Sequence, residues 1–399
     1  MIYGFRGANI ESVLKLIETM ELKRFTLGQN YRSTKTIVEA SRSVIVNNSM
    51  QLEKSVFTDN KQGEKIIYYE LPDTTSEALQ AVKIIMALTR KKPKSGEKQI
   101  KAGDIAILYR MSYLSRAVEE QLIRNGIKYT VVGGCPFYAR KEIKDIMSYL
   151  RFIYNPKDLQ AFKRIINVPK RGLGEKALEQ LFDCQNGLSY ANIDEDRMLM
   201  QACKDVKLKG AAKKGIDKFI ATIEYLKEFI ITNEATPSKA IKEIVNVLRY
   251  NDYLIETEKK DAEEKIANVA ELAEIASQYE TLEDFICNMV LNNVQTDEND
   301  EEETSEPGVQ MLTMHSSKGL EFPVVIILGS NEGIIPHYRA DTVNSVDEER
   351  RLWYVAMTRA KEYLFLLRSK MMPMNGVPNY CKESRFVQEI ASEYIAKMR

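Results

Sequence analysis

Two apolar runs organise the C-terminal part of the chain. Val309–Thr313 and Phe322–Leu328 have the composition of strands. The second run is continuous rather than alternating, which predicts a strand buried on both faces of a parallel sheet. A helix is predicted after them from Ser345, because Glu348 three residues later completes a capping-box pattern. This stretch therefore predicts two buried strands followed by a helix.

Arg359 falls on the apolar stripe predicted for that helix. It lies seven residues after Leu352 and four after Val355, so it should point to the same side as those residues. A buried arginine needs an anionic partner, because an unpaired buried charge is costly. No carboxylate stands three or four residues before it. The pattern leaves two interpretations open, a structural ion pair with a distant carboxylate and a bound phosphate.

Strands and helices alternate in the first part of the chain, which predicts a parallel α/β sheet. A short strand at 24–27 leads into Gly28–Thr34, and a helix is predicted from Lys35. The elements predicted after it are strands at 65–71, 104–109 and 128–132 and helices at 76–91 and 114–125.

The middle of the chain has a different character. Residues 140–293 carry helical periodicity almost throughout, and the acidic run 296–306 is typical of a flexible linker. The α/β pattern resumes at Val309, so the simplest topology is one α/β domain interrupted by a helical insertion. Beyond Arg368 we expect a loop at 371–380 and a final amphipathic helix at 384–398.

Composition restricts the function only weakly. Lys plus Arg and Asp plus Glu both number 57, so any nucleic-acid-binding surface must be local. The five cysteines are scattered and there are only two histidines, which argues against a zinc site and predicts reduced thiols. No run reaches membrane-spanning length and no signal peptide opens the chain, so we expect a cytoplasmic protein.

Three short segments carry candidate binding chemistry. Near the N-terminus, two aromatics and an arginine suit base stacking on single-stranded nucleic acid, with packing on a neighbouring domain as the alternative. At a strand-to-helix junction, Tyr31 and Arg32 suit a base and a phosphate. The alternative is a helix cap by Ser33 or Thr34, and the two interpretations are compatible. The first segment consists of Tyr3, Phe5 and Arg6.

The third segment is a turn inside the helical block. It reads Asn167-Val168-Pro169-Lys170-Arg171-Gly172-Leu173-Gly174 and precedes a helix predicted from Glu175. Glycines permit a tight turn whose amides face outward at a helix start, which suits a DNA backbone phosphate. The alternative is a plain corner between two helices.

Seven motifs in order resemble the C-terminal half of a superfamily 1 DNA helicase of the UvrD/PcrA/Rep type. They are IYGFRGA, LGQNYRST, DIAILYR, PFYARKEIKDIMSYLRF, VPKRGLG, MLTMHSSKGLEFPVVIILG with EGIIPH, and EERRLWYVAMTRAKEYLFL. The resemblance runs from Ile2 to about Phe386. It implies an α/β fold, a RecA-like parallel-sheet motor domain interrupted by a helical insertion domain.

The resemblance also implies a division of the chain. Residues 1–21 would be a remnant of the first motor domain, 1A. Residues 22–132 and 308–399 would form the two parts of the second motor domain, 2A. Residues 133–307 would form the helical insertion domain 2B with its acidic linker.

In the family, ATP binds between the two motor domains, which implies roles for one group of residues. Tyr31 would stack on adenine, Glu321 would contact the ribose, and Arg32 and Arg359 would be catalytic, approaching the γ-phosphate. Lys318 and Gly319 would lie in the nucleotide-side loop.

A second group would contact DNA. The resemblance assigns Thr313 and His315 to the coupling between the nucleotide cleft and single-stranded DNA. Tyr3, Phe5 and Arg6 match the family's stacking motif, and the turn would contact duplex DNA. The turn residues concerned are Lys170, Arg171, Gly172 and Gly174.

The sequence departs from the family by lacking a GxxxxGK[ST] P-loop and the acidic motif that would hold Mg²⁺. We therefore expect half of an ATP-dependent 3′–5′ DNA helicase acting in DNA repair or replication. We expect it to be inactive alone and to share ATP with an N-terminal motor half, 1A/1B, in the same or a separate chain. Mg²⁺ would belong to the complete enzyme, with no ligands in this chain. The alternatives are a stand-alone DNA- or partner-binding module and a regulatory decoy of a complete helicase.

Overall fold

The structure, a computed structural model, describes residues 27–49, 56–93, 98–187, 198–287, 307–374 and 377–398, together with residues 19, 25 and 289. The chain divides into two compact units. One comprises Met1–Cys135 and Glu302–Arg399, and the other comprises Pro136–Glu301.

One sheet organises the first unit. Within the described residues it has eight strands, which are β1 (Ile66–Asp73), β2 (Ile105–Tyr109), β3 (Tyr129–Val131), β4 (Val309–Thr313), β5 (Phe322–Ile327), β6 (Ala360–Met374), β7 (Val377–Tyr380) and β8 (Ile395–Met398). Their order in the sheet is β3-β4-β2-β5-β6-β1-β8, with β7 paired to β6. All the pairings are parallel except that of β6 with β7.

Helices cover both faces of this sheet. One face packs against α1 (Lys35–Ile45), α12 (Val343–Met357) and α13 (Arg385–Gln388), in a core that contains Trp353 and Phe386. The other face packs against α2 (Thr74–Arg90) and α3 (Ser115–Arg124). Because β2 lies between these layers, every residue of Ile105–Tyr109 is buried.

Eight α-helices build most of the described part of the second unit, and residues 282–287 are also helical. Their apolar faces enclose one core, in which the rings of Phe152, Phe162 and Phe219 pack together with centroids 5.4–6.3 Å apart. The eight are α4 (Lys141–Tyr154), α5 (Leu159–Ile165), α6 (Glu175–Gly187), α7 (Met198–Asp205), α8 (Gly210–Thr232), α9 (Pro237–Leu248), α10 (Tyr250–Glu258) and α11 (Ala262–Ala276).

The predicted α/β fold with a helical insertion is confirmed. β2 pairs in parallel with β4 on one side and β5 on the other, so the strands on the two sides of the helical block belong to one sheet. No strand occurs among the described residues of 140–293. No described helix is both long and apolar enough to span a bilayer.

Two predictions at the C-terminal end are wrong. The stretch 371–380 is not a loop, because β6 continues to Met374 and pairs antiparallel with β7. The stretch 384–398 is not one helix. It holds only the short α13, and its end forms β8, which pairs with β1 at residues Ile66–Tyr69. The backbone hydrogen bonds available at the edge of β1 override the helical pattern of this segment.

Two predicted boundaries also need correction. Helix α12 begins at Val343, because the Thr342 hydroxyl accepts from the Ser345 amide while the Ser345 hydroxyl accepts from the Thr342 amide. Ser345 thus closes the capping box from inside the helix. Of the predicted strand at 24–27, the described residues 25 and 27 are not in a strand. The acidic run 296–306 lies outside the described residues.

Candidate nucleotide and nucleic-acid sites

The loop before α1 holds Arg32 at the start of β6. The side chain of Asn30 accepts hydrogen bonds from the amides of Arg32 and Ser33, both at 2.9 Å. The Ser33 hydroxyl donates to the Ala360 carbonyl at 2.6 Å. Thr34 occupies the N-cap position of α1 as predicted, but its side chain makes no capping hydrogen bond, and the Ser33 hydroxyl is used by Ala360. Tyr31 is left 78% exposed, and its hydroxyl donates to Gln29.

Glu321 links two cations from different segments. Its carboxylate accepts from Arg32 Nε at 2.6 Å and from Lys361 Nζ at 2.8 Å. Hydrogen bonds from Lys361 and Arg32 lower the pKa of Glu321 to about 2, so this carboxylate stays ionised at any physiological pH. Arg32 also donates to the Thr358 carbonyl at 3.1 Å. These contacts hold the guanidinium of Arg32 in a defined position.

Arg359 lies beside this ion pair without a carboxylate of its own. Its guanidinium donates to the carbonyls of Val355 and Leu320, both at 3.0 Å, and to the Thr358 hydroxyl at 3.4 Å. No carboxylate in the described part of the chain forms a salt bridge with it. Burial, followed by the nearby charge of Arg32, lowers the pKa of Arg359 to about 10.

These contacts correct the sequence interpretation of Arg359. Helix α12 ends at Met357, so Arg359 lies beyond the helix rather than on its stripe. The residue is nonetheless only 9% exposed. A structural ion pair requires a carboxylate within salt-bridge distance of Arg359, and the described residues provide none.

The cluster formed by Arg32, Lys361, Arg359 and Glu321 carries three cations and one anion. Two like charges near each other raise the free energy of the cluster, which is why Arg32 lowers the pKa of Arg359. A polyanion placed against the two arginines would offset this repulsion, and guanidinium groups suit phosphate oxygens. The donor set therefore fits the phosphate end of a nucleotide, while the exposed Tyr31 ring fits stacking on a base.

Residues 314–321 connect this cluster to the opposite edge of the sheet. They leave β4 at its carboxyl end, pass over β2 and enter β5 at its amino end. Met314 and Ser317 are buried, and the Ser317 hydroxyl donates to the Met314 carbonyl. Lys318 and Gly319 lie exposed on this connection, one turn before Glu321.

Thr313 and His315 lie at the carboxyl ends of the strands, where a second cluster forms. Arg110, directly after β2, pairs with Glu349 of α12 through both carboxylate oxygens at 2.9–3.2 Å. Glu349 also accepts from the amide of His337 at 3.1 Å. Burial, with Arg110 as the next cause, lowers the pKa of both histidines, that of His315 to about 4. The chain's two histidines are therefore neutral at physiological pH and border the same ion pair.

The predicted turn of the helical unit is closed by Arg171 itself. One guanidinium nitrogen donates to four carbonyls, those of residues 165, 166, 168 and 169, at 2.9–3.3 Å. The other donates to the Tyr149 hydroxyl, and the guanidinium lies 5.3 Å from the centroid of the Phe219 ring. Gly172 takes the left-handed φ of +73° that the turn requires.

Helix α8 packs directly on this turn. A Cβ at Gly215 would lie 2.0 Å from the Arg171 carbonyl oxygen, so only glycine permits the approach. Next to the contact is a cleft of about 390 Å³, whose lining includes Lys170, Lys214 and Lys218. None of these lysines forms a salt bridge within the described residues. A Cβ at Gly174 would meet nothing within 4 Å, so this position is open.

The structure thus brings together some of the predicted residues and not others. Arg32, Glu321 and Arg359 form one cluster, and Thr313 and His315 lie at the other end of the 314–321 connection. Tyr3, Phe5 and Arg6 lie outside the described residues. The sequence analysis missed Lys361, Arg110, Glu349 and His337. The sequence could have indicated Arg110 by its position, because it directly follows a strand of a parallel sheet at the carboxyl end, where ligands bind in such sheets.

Comparison with known proteins gives a consistent result. Residues 25–371 match the family described as UvrD-like helicase C-terminal domain. The chain is 37% identical over 404 residues to ATP-dependent DNA helicase PcrA of Staphylococcus epidermidis, covering 99% of this chain and 53% of the relative. It is 35% identical over 415 residues to the PcrA of Bacillus subtilis, covering 100% and 54%. The chain therefore spans about half the length of the curated relatives it matches.

Proposed function

The chain belongs to the family of UvrD-like helicase C-terminal domains, and from that premise we propose that it is the second motor half of an ATP-dependent 3′–5′ DNA helicase. Its two units would be domains 2A and 2B. Its work would be unwinding of duplex DNA in repair or replication, together with an N-terminal motor half that supplies the P-loop and the Mg²⁺ ligands.

The observation that supports this proposal best is the charge of the arginine cluster. Arg359 is desolvated and close to Arg32, and its hydrogen-bond partners among the described residues are all neutral. The nearby charge of Glu321 offsets only part of the effect of burial and of Arg32 on its pKa. Such an arginine is costly unless an anion completes its surroundings. In the proposed enzyme, Arg359 and Arg32 hold the γ-phosphate and stabilise the charge that develops on it. Glu321 and Lys361 keep Arg32 in position.

Nucleotide binding in this chain would use few further residues. Bound ATP would supply the phosphoryl group that is transferred to water. Tyr31, exposed beside Arg32, would stack on the adenine, and Glu321 would reach the ribose. Lys318 and Gly319 would border the nucleotide. Their connection ends at Thr313 and His315, which would contact the single strand.

A chimera tests this proposal. The N-terminal half of Bacillus subtilis PcrA would be fused to this chain, which replaces the matching C-terminal half. We expect ATP turnover that single-stranded DNA stimulates, and 3′–5′ unwinding. Arg359→Ala should reduce turnover by roughly 10³-fold or more, as removal of an arginine finger does. Arg42→Ala, at an exposed arginine of α1, is the matched control and should leave turnover unchanged.

Other outcomes of this test favour the alternatives. If the chimera folds but does not hydrolyse ATP, and this chain binds DNA by itself, the result supports a stand-alone binding module. Significant ATP turnover by this chain alone would contradict the proposed division of labour, because no P-loop is present in the sequence.

A further inference from the structure

Tyr338 is a large aromatic side chain that the fold holds out into solvent. It is 66% exposed, and it follows His337 on the loop between β5 and α12. Single exposed tyrosines are common on protein surfaces and need no function. What distinguishes Tyr338 is how its loop is held and what lies beside it.

The loop is anchored on both sides of the ring. The Tyr338 amide donates to the Gly333 carbonyl at 2.9 Å, and the His337 amide donates to Glu349 at 3.1 Å. Ile334 and Ile335 are buried just before it. An aromatic ring on a constrained loop loses little conformational entropy when it binds, because its backbone is already ordered.

The surroundings of the ring suit a nucleobase. The His337 ring lies 4.4 Å from the Tyr338 ring, centroid to centroid, and the Arg339 guanidinium lies 5.6 Å from it. The arginine lies over the tyrosine ring and provides a positive charge for an adjacent phosphate, while the part of the ring that stays exposed provides a surface for stacking. Glu349 accepts from the His337 amide beside the ring, and Arg110 already pairs with this carboxylate.

The ring also lies beside the corner that is proposed to contact DNA. The His337 amide donates to Glu349, which pairs with Arg110. Tyr109, the residue before Arg110, pairs with Thr313 in the sheet, so the loop of Tyr338 lies near the carboxyl end of β4. We propose that Tyr338 is a stacking platform for one base of single-stranded DNA. This inference rests on the proposed function for the presence of the strand, and it adds the residue that holds a base there.

Binding of a labelled oligothymidine to this chain, measured by fluorescence anisotropy, tests the platform. Tyr338→Ala and Tyr338→Leu should each weaken binding by roughly 5- to 100-fold, which is the effect of losing one stacked base. Tyr338→Phe should stay within about twofold of the wild type, because the stacking ring is retained. Tyr225→Ala, at an exposed tyrosine of the helical unit, is the control and should bind like the wild type.

An abasic strand of equal length separates stacking from charge. It keeps the phosphates and lacks the bases, so Tyr338→Ala should bind it as the wild type does. The slope of log affinity against log salt on oligothymidine should also be the same for both proteins, because no phosphate contact has been removed.

The contrary outcomes are distinct. If the wild type binds oligothymidine and Tyr338→Ala binds equally well, the platform is overturned and the proposed function stands. The same conclusion follows if Tyr338→Phe binds oligothymidine as weakly as Tyr338→Ala does. It also follows if Tyr338→Ala loses as much affinity for the abasic strand as for oligothymidine. If the folded wild type binds no single strand, the single-strand part of the proposed function is overturned, and the platform with it.

Discussion

Arg171 and Arg359 both follow sequence patterns that predict a phosphate contact, but their surroundings differ. Arg171 donates to four backbone carbonyls and a tyrosine hydroxyl, so both terminal nitrogens of its guanidinium have partners inside the helical unit. Arg359 has three neutral partners and stands close to Arg32. The comparison teaches that the partners of an arginine, more than its motif, indicate whether it awaits an anion.

The largest expected effect concerns the fold of the helical unit. Arg171→Ala removes the donor for several carbonyls of one turn, so we expect a loss of about 3 kcal/mol in the free energy of unfolding. Arg171→Lys should lose nearly as much, because an ammonium group cannot reproduce the planar set of donors. Urea unfolding followed by the helical circular dichroism signal measures this effect. Lys170→Ala, at the exposed neighbour, is the control, and an equal loss there would contradict the assignment.

A smaller effect is expected on DNA binding at the same turn. With Arg171 turned inward, a duplex phosphate would be held by Lys170 and by the amides at the start of α6. Gly174→Asp should weaken binding to duplex DNA by roughly tenfold, because a carboxylate repels phosphate. Space is open at this position, so the fold should tolerate the change.

Gly174→Asn is the matched control, since it has the same shape without the charge. It should bind duplex nearly as the wild type does, and neither variant should change binding to a pure single strand. Equal weakening by Asn and Asp, or equal loss on single strand and duplex, would be evidence against a phosphate at Gly174.

The smallest expected effect is on the stability of the sheet unit. Arg359→Ala gives up hydrogen bonds to Val355 and Leu320, but it also removes a charge that burial and Arg32 both disfavour. These contributions oppose each other, so the change in unfolding free energy of this chain should stay below about 1 kcal/mol. Thermal melting against Arg42→Ala checks it. A loss as large as that of Arg171→Ala would make Arg359 a structural arginine too.

The sheet could be predicted from the sequence because each of its central strands has a recognisable pattern within its own residues. The apolar runs of β2 and β5 identify buried strands without any knowledge of their neighbours. The β6–β7 pair also had a local signal that was overlooked, since Asn375-Gly376 between two extended runs is typical of a hairpin. β8 had no such signal, because only its pairing with β1 makes it a strand.

The candidate sites were predictable in part for the same reason. Motif resemblance named Arg32, Glu321 and Arg359, which the fold brings together. It did not give the partners of those residues. The Arg110–Glu349 pair joins residues 239 positions apart, and the inward orientation of Arg171 depends on Tyr149 in another helix. Such contacts exist only after the chain has folded.

The connection 314–321 has a mechanical consequence. It must span the length of a strand, about 16 Å for five residues, with eight residues that include a hydrogen-bonded turn. Met314 at its start and Ser317 in its middle are buried in the protein interior. A connection anchored in this way has little slack. We therefore expect that a ligand which displaces Glu321 also strains the backbone around Ser317 and His315.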